Sequence, residues 1–139
     1  MTPRVIDASI AIKWVIEEVG SPRAASLLDG SRLVAPDLLL IECANVLWKK
    51  VRRAELTEDE ALVAVRLLQQ ADIELVPTRH LADQAVRLAI ELDHPAYDCL
   101  YLALALANDW PLITADDRFV QRLRQPGQNY GRRVSSLHS

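Results

Sequence analysis

Short apolar runs alternate along this chain with longer stretches in which apolar residues recur every three or four positions. The run Val5-Ile6 is followed by Ile12, Val15 and Ile16, which share one face of a helix. Later short runs end at a proline, as in residues 32–35, and proline stops a strand because it lacks the N–H for the ladder. This alternation predicts four to five short strands separated by helices.

Polar residues mark where three of the predicted helices begin. Ser21 is the expected N-cap of a short helix, and Pro22 after it takes the first helical position. Asp37 is the expected N-cap of a long helix, since its carboxylate can accept from the first turn. Thr57 followed by Glu60 matches the capping-box pattern.

The pattern assigns an element to most of the chain. Strands are predicted at 4–7, 32–35, 73–76 and 112–114, with a further edge strand at 134–137. Helices are predicted at 9–18, 21–28, 37–53, 57–71, 80–92, 96–108 and 118–123. Strands that alternate with helices are typical of a central parallel sheet with helices on both faces. We therefore predict an α/β fold with residues 1–139 in one domain.

Composition fits one domain with a full core. A chain of 139 residues that is 50% hydrophobic needs no disulfide to fold. Cys43 and Cys99 fall in apolar helical segments, which predicts two small buried side chains in a reducing compartment. The longest apolar run, residues 100–107, is far short of the roughly 20 residues of a membrane span. With no signal-peptide pattern at the N-terminus, a cytoplasmic location is expected.

Four carboxylates stand inside or directly after apolar runs: Asp7, Glu42, Asp98 and Asp116. A charge in an apolar segment costs several kcal/mol unless something pairs it. Asp7 ends the first predicted strand and Asp116 follows the fourth, so both point to the edge where parallel sheets bind ligands. Glu42 and Asp98 lie near the first turns of their helices. A shared divalent cation is the partner that oxygen ligands of like charge favour.

Each acid also has a simpler interpretation. Asp7 and Asp116 are each placed to cap the helix that follows, and Asp98 suits the positive end of a helix dipole. Glu42 is the hardest to explain in this way, because an apolar helix face gains nothing from a charge. The four acids together favour a metal site.

Four motifs, taken in order along the chain, resemble those of the PIN-domain family and, within it, the VapC toxins of bacterial toxin–antitoxin pairs. They are Val5-Ile6-Asp7-Ala8-Ser9; Pro36 to Glu42 with Asn45 and Leu47; Tyr97 to Ala103; and Leu112 to Asp116 with Arg118 and Phe119. The resemblance covers nearly the whole chain. It implies a doubly wound parallel sheet and metal-dependent endonucleolytic cleavage of RNA, with 3′-hydroxyl and 5′-phosphate products.

The resemblance also assigns roles to residues. It places the family's acids on Asp7, Glu42, Asp98 and Asp116, with supporting roles for Ser9, Asn45 and Thr114. Hard oxygen ligands suit Mg²⁺, or Mn²⁺ in its place. We expect Asp7 and Asp98 to ligate one ion directly, and Glu42 and Asp116 to ligate through water or to help hold a second ion. Asp117 adjoins this set and either substitutes in it or is solvated.

The resemblance also implies binding partners. RNA is the expected substrate, and among the basic residues Lys13 and Arg118 are expected nearest to it, although the net charge of −3 gives no overall attraction for nucleic acid. VapC-like proteins are expected to be homodimers that bind a VapB-like antitoxin through an apolar groove. Trp14 and Trp48 are either core residues or part of such a surface.

Two other functions stay open on the residues alone. A phosphoaspartyl phosphatase would need a second Asp two residues after Asp7, where Ser9 stands, and a receiver-like domain would need acids within residues 1–5 and a lysine within residues 112–117. A non-catalytic binding module of the same fold would not need four acids in apolar segments. It would tolerate Asp98→Asn.

Overall fold

A parallel sheet organises the computed structural model, which describes residues 2–138. Within that range the sheet has five strands: β1 Arg4–Ile6, β2 Leu33–Pro36, β3 Glu74–Val76, β4 Leu112–Thr114 and β5 Val134–Ser136. The helices are α1 Ala8–Val15, α2 Ser21–Ala25, α3 Leu39–Arg52, α4 Glu58–Gln69, α5 Ala82–Leu92, α6 Ala96–Asn108 and α7 Asp117–Leu123, with a 3₁₀ helix at Arg79–Leu81.

The strand order is β3-β2-β1-β4-β5, and every pair is parallel. The chain builds from β1 outward to β3 and then returns to the other side of β1 with β4. The β1–β4 pair, with Val5 opposite Leu112, is therefore the point where the strand order reverses. Ligands of such sheets bind outside the carboxyl ends of the strands at this point.

The core lies between the sheet and its flanking helices. The strand residues Val5, Ile6 and Val34 are fully buried. α6 packs against β1, β2 and β4 as well as against α5, and its residues 101–105 are all buried. A helix that is apolar on nearly every side is a core helix. Cys43 and Cys99 are buried free thiols, as predicted.

The predicted α/β class is confirmed, with five parallel strands flanked by helices. The predicted strands agree with the observed ones to within two residues at each end, and the edge strand at 134–137 is present as β5. The capping box is confirmed as well: Thr57 Oγ1 accepts from the Glu60 N–H, and Glu60 Oε1 accepts from the Thr57 N–H.

Two predicted helix caps are wrong. The N-cap of α3 is Leu38 rather than Asp37. The Asp37 N–H donates to the Val76 carbonyl, so the chain stays bonded to β3 for one residue more, and the Asp37 carboxylate accepts from Thr78 Oγ1 at 3.3 Å. Ser21 lies inside α2, whose N-cap is Gly20 at a φ of 90°.

Two helices are shorter than predicted, and the hydrogen bonds of Ser21 explain the early end of the first, α1. Ser21 Oγ accepts from the Glu18 N–H and donates to the Ile16 carbonyl, which closes the turn between α1 and α2. α1 therefore ends at Val15, three residues before the predicted end at 18. α2 ends at Ala25, three residues before the predicted end at 28. No helix within residues 2–138 is long and apolar enough to cross a membrane.

The capping box gives a prediction for stability. Thr57→Ala removes the acceptor for the Glu60 N–H and is expected to lower the free energy of unfolding by about 1 kcal/mol. Thr57→Ser keeps a hydroxyl at this position and should stay close to the wild type. Urea denaturation followed by circular dichroism measures both values. Equal stability of all three proteins would show that the start of α4 does not depend on its cap.

Candidate active site

A cavity of about 320 Å³ lies at the carboxyl edge of the sheet, beside the point where the strand order reverses. All four predicted acids line it. The complete lining is Asp7, Ala8, Ser9, Ile12, Lys13, Glu18, Glu42, Val46, Asp98, Ala115 and Asp116. Residues from three helices, from the α1–α2 turn and from the segments that follow β1 and β4 therefore meet around one space.

Asp7 is the most enclosed of the four acids, with 6% of its surface exposed. It is the N-cap of α1, and its Oδ1 accepts from the Ile10 N–H at 3.3 Å and from Ser9 Oγ at 2.5 Å. Burial raises the pKa of Asp7 from its ordinary 3.8 to about 6, against the opposing effect of hydrogen bonds from Ser9 and Thr114; the nearby Asp98 raises it further. The fold therefore holds this carboxylate in a fixed position where its charge is poorly solvated.

Asp116 is tied to the β1 side of the site by two hydroxyls. The Asp116 N–H donates to Thr114 Oγ1 at 3.0 Å, and Thr114 Oγ1 lies 3.3 Å from Ser9 Oγ. Ser9 Oγ also accepts from the Ala115 N–H at 2.9 Å. Ser9 and Thr114, both predicted as supporting residues, join the ends of β1 and β4 in this way.

Glu42 lies in the first turn of α3, and its Oε1 is buried without a hydrogen-bond partner. Burial raises its pKa from 4.5 to about 7; the Tyr101 hydroxyl acts in the opposite direction, and Asp98 and Asp7 raise the pKa further. The Tyr101 hydroxyl is close enough to Glu42 for hydrogen bonding to lower the Glu42 pKa and raise its own, although neither the hydroxyl nor Glu42 Oε1 has a partner at normal hydrogen-bond geometry. Buried polar atoms with poorly made hydrogen bonds are rare, and a carboxylate oxygen of this kind fits a site that takes up a water or an ion.

Asp98 lies in the first turn of α6, and its Oδ2 is 2.6 Å from His94 Nε2. Burial raises the pKa of Asp98, the contact with His94 lowers it, and Asp116 raises it. Each of the four acids is thus within electrostatic range of at least one other.

Asp7 and Asp116 both cap a helix and line the cavity. Asp7 and Asp116 do cap α1 and α7, and both capping bonds of Asp116 fall on Oδ1. Each of these helices starts directly after a strand whose end lines the cavity, so a cap at that position also faces the cavity. The simpler interpretation of these two acids is correct but incomplete.

The remaining predicted site residues are placed differently. Lys13 lines the cavity, but its Nζ pairs with Glu18 Oε1 at 3.3 Å. Arg118 is exposed at the start of α7. Asp117 is exposed and accepts from Ser136 Oγ at 2.8 Å, and Asn45 is exposed on α3; neither is part of the cavity lining.

Three residues near the acids were not predicted as site residues: Glu18, His94 and Tyr101. Tyr101 stands three positions after Asp98, a helical spacing that places both on one side of α6. His94 stands four positions before Asp98, but Pro95 between them indicates a loop, where spacing does not predict contact. Glu18 follows the end of α1, and the α1–α2 turn places its carboxylate in the cavity lining beside Lys13.

The donor set fits a hard divalent cation. All four acids offer oxygen ligands, the Glu42 Oε1 lacks a partner, and the mutual repulsion of the acids would be relieved by a positive ion. Among residues 2–138, no three His, Cys, Asp or Glu side chains are already close enough together to hold one ion. An ion held directly by three of these acids would require their side chains to rotate within the cavity.

Known proteins are similar to this chain in sequence and in fold. The family model described as PIN domain matches residues 4–123. Ribonuclease VapC3 of Pyrobaculum aerophilum is 31% identical over 121 residues, 85% of this chain and 92% of that protein. Ribonuclease VapC12 of Mycobacterium tuberculosis is 28% identical over 117 residues, 84% of this chain and 89% of that protein.

A solved structure supports the same fold. The crystal structure of PAE2754 from Pyrobaculum aerophilum superposes with a TM-score of 0.72 over 99% of this chain and 90% of that chain. The two sequences are 18% identical, a level at which the similarity shows a common fold alone.

The raised pKa values predict how the stability of the metal-free protein changes with pH. Asp7 and Glu42 titrate near 3.8 and 4.5 when unfolded and at about 6 and about 7 when folded, so the folded state favours their neutral forms. Stability should therefore fall as the pH rises from about 4 to about 7. Glu42→Gln, which cannot ionise, should melt about 3 °C or more above the wild type at pH 7.5 and close to it at pH 4.5.

Differential scanning fluorimetry in EDTA measures these melting temperatures. The exposed Glu17 gives the matched control, and Glu17→Gln should not change the pH dependence. A lower melting temperature for Glu42→Gln at pH 7.5 would mean that the Glu42 charge stabilises the fold.

Proposed function

This chain belongs to the PIN-domain family and, within it, to the VapC type, and on that premise we propose that it is a metal-dependent endoribonuclease acting as the toxin of a toxin–antitoxin pair. The observation that carries the proposal is the convergence of Asp7, Glu42, Asp98 and Asp116 on one cavity. A space of about 320 Å³ admits a phosphodiester and its adjoining sugar rather than a folded nucleic-acid domain.

The cofactor proposed for this site is Mg²⁺, with Mn²⁺ as a substitute. When bound, it would neutralise the phosphate charge and lower the pKa of water. Asp7 and Asp98 are the residues proposed to hold it most directly. Asp7 suits this role because Ser9 Oγ and the Ile10 N–H fix its position before any ion arrives. A ligand that is already ordered loses little entropy on binding.

Glu42 and Asp116 would complete the site. The Glu42 Oε1 has no partner at normal hydrogen-bond geometry, so it would be able to accept a hydrogen bond from a water in the cavity. A bound cation would lower the pKa of Glu42 from its metal-free value of about 7 and keep the carboxylate ionised, as a base requires. Asp116 has its Oδ1 bound to the Arg118 and Phe119 N–H groups, which leaves Oδ2 for a water or a second ion.

RNA would approach this acidic cavity with help from nearby cations. Lys13 is in the lining, and its pairing with Glu18 holds the ammonium group at the cavity wall, where it can meet a phosphate. Arg118 is exposed beside Asp116 at the start of α7 and is placed for a phosphate outside the cavity. Local cations of this kind offset the net charge of −3.

The antitoxin proposal is supported by a second, larger groove of about 630 Å³ between α1, α3 and α4. Its apolar wall includes Val63 and Leu67, each 52% exposed, and apolar side chains that line one groove together are typical of a surface that binds a partner. Its rim is mainly acidic. The full lining is Val15, Ile16, Glu17, Lys50, Glu55, Leu56, Asp59, Glu60, Val63, Ala64 and Leu67. An amphipathic, basic helix of a VapB-like antitoxin fits such a groove.

The two tryptophans differ in their relation to this proposal. Trp14 packs against the core, and its indole N–H donates to the Ala24 carbonyl at 2.8 Å, so it joins α1 to α2. Trp48 is 52% exposed, with the Arg52 guanidinium 4.9 Å from its ring centroid. Trp48 is therefore the one of the two that is available to a partner.

Homodimerisation is likewise a proposal. Ile41, Val86, Ile90 and Tyr97 are exposed apolar side chains on α3, α5 and α6. Val86 and Tyr97 line a further cavity of about 500 Å³ whose walls are largely apolar. A second copy of the chain that packs on these helices would cover these side chains, and two of them, Ile41 and Tyr97, lie on the helices that also carry Glu42 and Asp98.

The test of activity is RNA cleavage. Purified protein is expected to cut total RNA at discrete sites with Mg²⁺ or Mn²⁺ and to stop in EDTA. Asp98→Asn should lower the rate by at least about 100-fold, because loss of a charged ligand weakens ion binding and removes charge stabilisation. The exposed Asp72 provides the control Asp72→Asn, which should cut at the wild-type rate.

Three results would count against a metal-dependent nuclease. RNA cleavage that continues in EDTA would exclude a requirement for Mg²⁺ or Mn²⁺. Equal rates for the wild type and Asp98→Asn would point to a contaminating enzyme. Binding of RNA without cleavage under any metal would favour a binding module of the same fold.

The groove predicts a variant in which antitoxin binding is weakened while RNA cleavage is kept. Leu67→Asp places a charge on the apolar wall and should weaken binding of the antitoxin at least about 10-fold, since burying an unpaired charge costs more than 1.4 kcal/mol. RNA cleavage by this variant should match the wild type but resist inhibition by the antitoxin. Calorimetry with the cognate antitoxin and an inhibition assay measure both effects. Undiminished binding would place the antitoxin elsewhere.

A further inference from the structure

His94 is held firmly beside Asp98, which lines the cavity, although His94 itself lies in a loop. The Asp93 backbone adopts a left-handed conformation at φ 50°, which ends α5 and turns the chain toward α6. The His94 N–H donates to the Ala89 carbonyl at 3.1 Å, and 13% of its side chain is exposed. Pro95 follows as the N-cap of α6. The imidazole therefore has a fixed backbone on both sides.

The ring of His94 contacts both α6, which carries Asp98, and α7, which Asp116 caps. Its Nε2 lies 2.6 Å from Asp98 Oδ2 on α6. Its face stacks on Phe119 of α7, with 4.7 Å between ring centroids and an interplanar angle of 26°. The Phe119 N–H in turn donates to Asp116 Oδ1 at 3.3 Å. One side chain thus connects the carboxylate of Asp98 with the helix that Asp116 caps.

We infer that His94 is a positioning residue for the metal site: its Nε2–H donates to Asp98 Oδ2 and leaves Oδ1 available to an ion. An ionised carboxylate accepts hydrogen bonds and cannot donate, so the imidazole nitrogen is the donor of this pair. The stack on Phe119 keeps the ring in the plane that this bond needs. The inference rests on the proposed function, because it assigns Asp98 as a ligand.

The expected effect is on ion affinity. Hydrogen-bond partners of ligating side chains orient those ligands, and their loss typically lowers metal affinity by about 10- to 100-fold. A residue that only filled space between α6 and α7 would change the melting temperature instead. The two roles therefore predict different measurements.

Variants of His94 separate the hydrogen bond from the stack. His94→Phe keeps a ring against Phe119 and loses the donor. His94→Gln keeps an N–H donor within reach of Asp98 and loses the ring. His94→Met has about the length of Gln without a donor, so the Gln and Met pair differs chiefly in the N–H and remains informative if the Phe variant does not fold.

Calorimetric titration of RNA-free protein with Mn²⁺ is the main measurement, with melting temperatures in EDTA and kcat and KM for RNA cleavage beside it. His94→Phe and His94→Met are expected to bind Mn²⁺ about 10- to 100-fold more weakly. His94→Gln should stay within a few-fold of the wild type. The exposed His80 gives the control His80→Phe, which should bind normally.

Several outcomes would overturn the inference. Wild-type affinity in His94→Phe and His94→Met would show that the hydrogen bond does not matter, and equal losses in Gln and Met would indicate a packing role. If the wild type binds Mn²⁺ and cuts RNA in those cases, the nuclease proposal stands and the role of His94 alone is rejected. A wild type that binds no Mn²⁺ would reject both.

Discussion

The constraint on which this structure depends is the crowding of four like charges at one edge of a sheet. Burial raises the pKa of Asp7 and Glu42 to about 6 and about 7, and Asp98 is shifted in the same direction. The protein tolerates this arrangement because hydroxyls and helix N-termini hold the acids in place. A binding site for a cation is the arrangement in which such a cost serves a purpose.

The parallel topology is what makes the crowding possible. β1 and β4 are neighbours, so Asp7 and Asp116, more than 100 residues apart in the chain, follow strands that end side by side. α3 and α6 bring Glu42 and Asp98 to the same edge in their first turns. Ser9 and Thr114 then join the two strand ends through their hydroxyls. The framework and the candidate site therefore use the same contacts.

The cavity and the apolar groove are connected through one carboxylate. Glu18 pairs with Lys13, which lines the cavity, and with Lys50, which lines the groove, at 3.3 and 2.9 Å. α1 and α3 contribute walls to both spaces. A groove that shares its helices with the acids is well placed for a partner that regulates them, which is consistent with a toxin whose inhibitor binds next to its site.

Hydrophobic periodicity and proline stops predicted the class and the strands, and the position of four acids in or directly after apolar runs made them candidates for the site, since these signals are local. The 3.6-residue period and the proline stops place the elements, and the capping box at Thr57 involves neighbours in the chain. Tertiary structure decided the rest. Asp37 lost its predicted cap because its N–H pairs with β3, and His94 reaches Asp98 through a loop turned by Asp93 and stacked on Phe119. The order of strands and helices predicted that Asp7 and Asp116 share one edge of the sheet, but contacts made through loops and side-chain packing, such as that of His94 with Asp98, do not follow from local spacing.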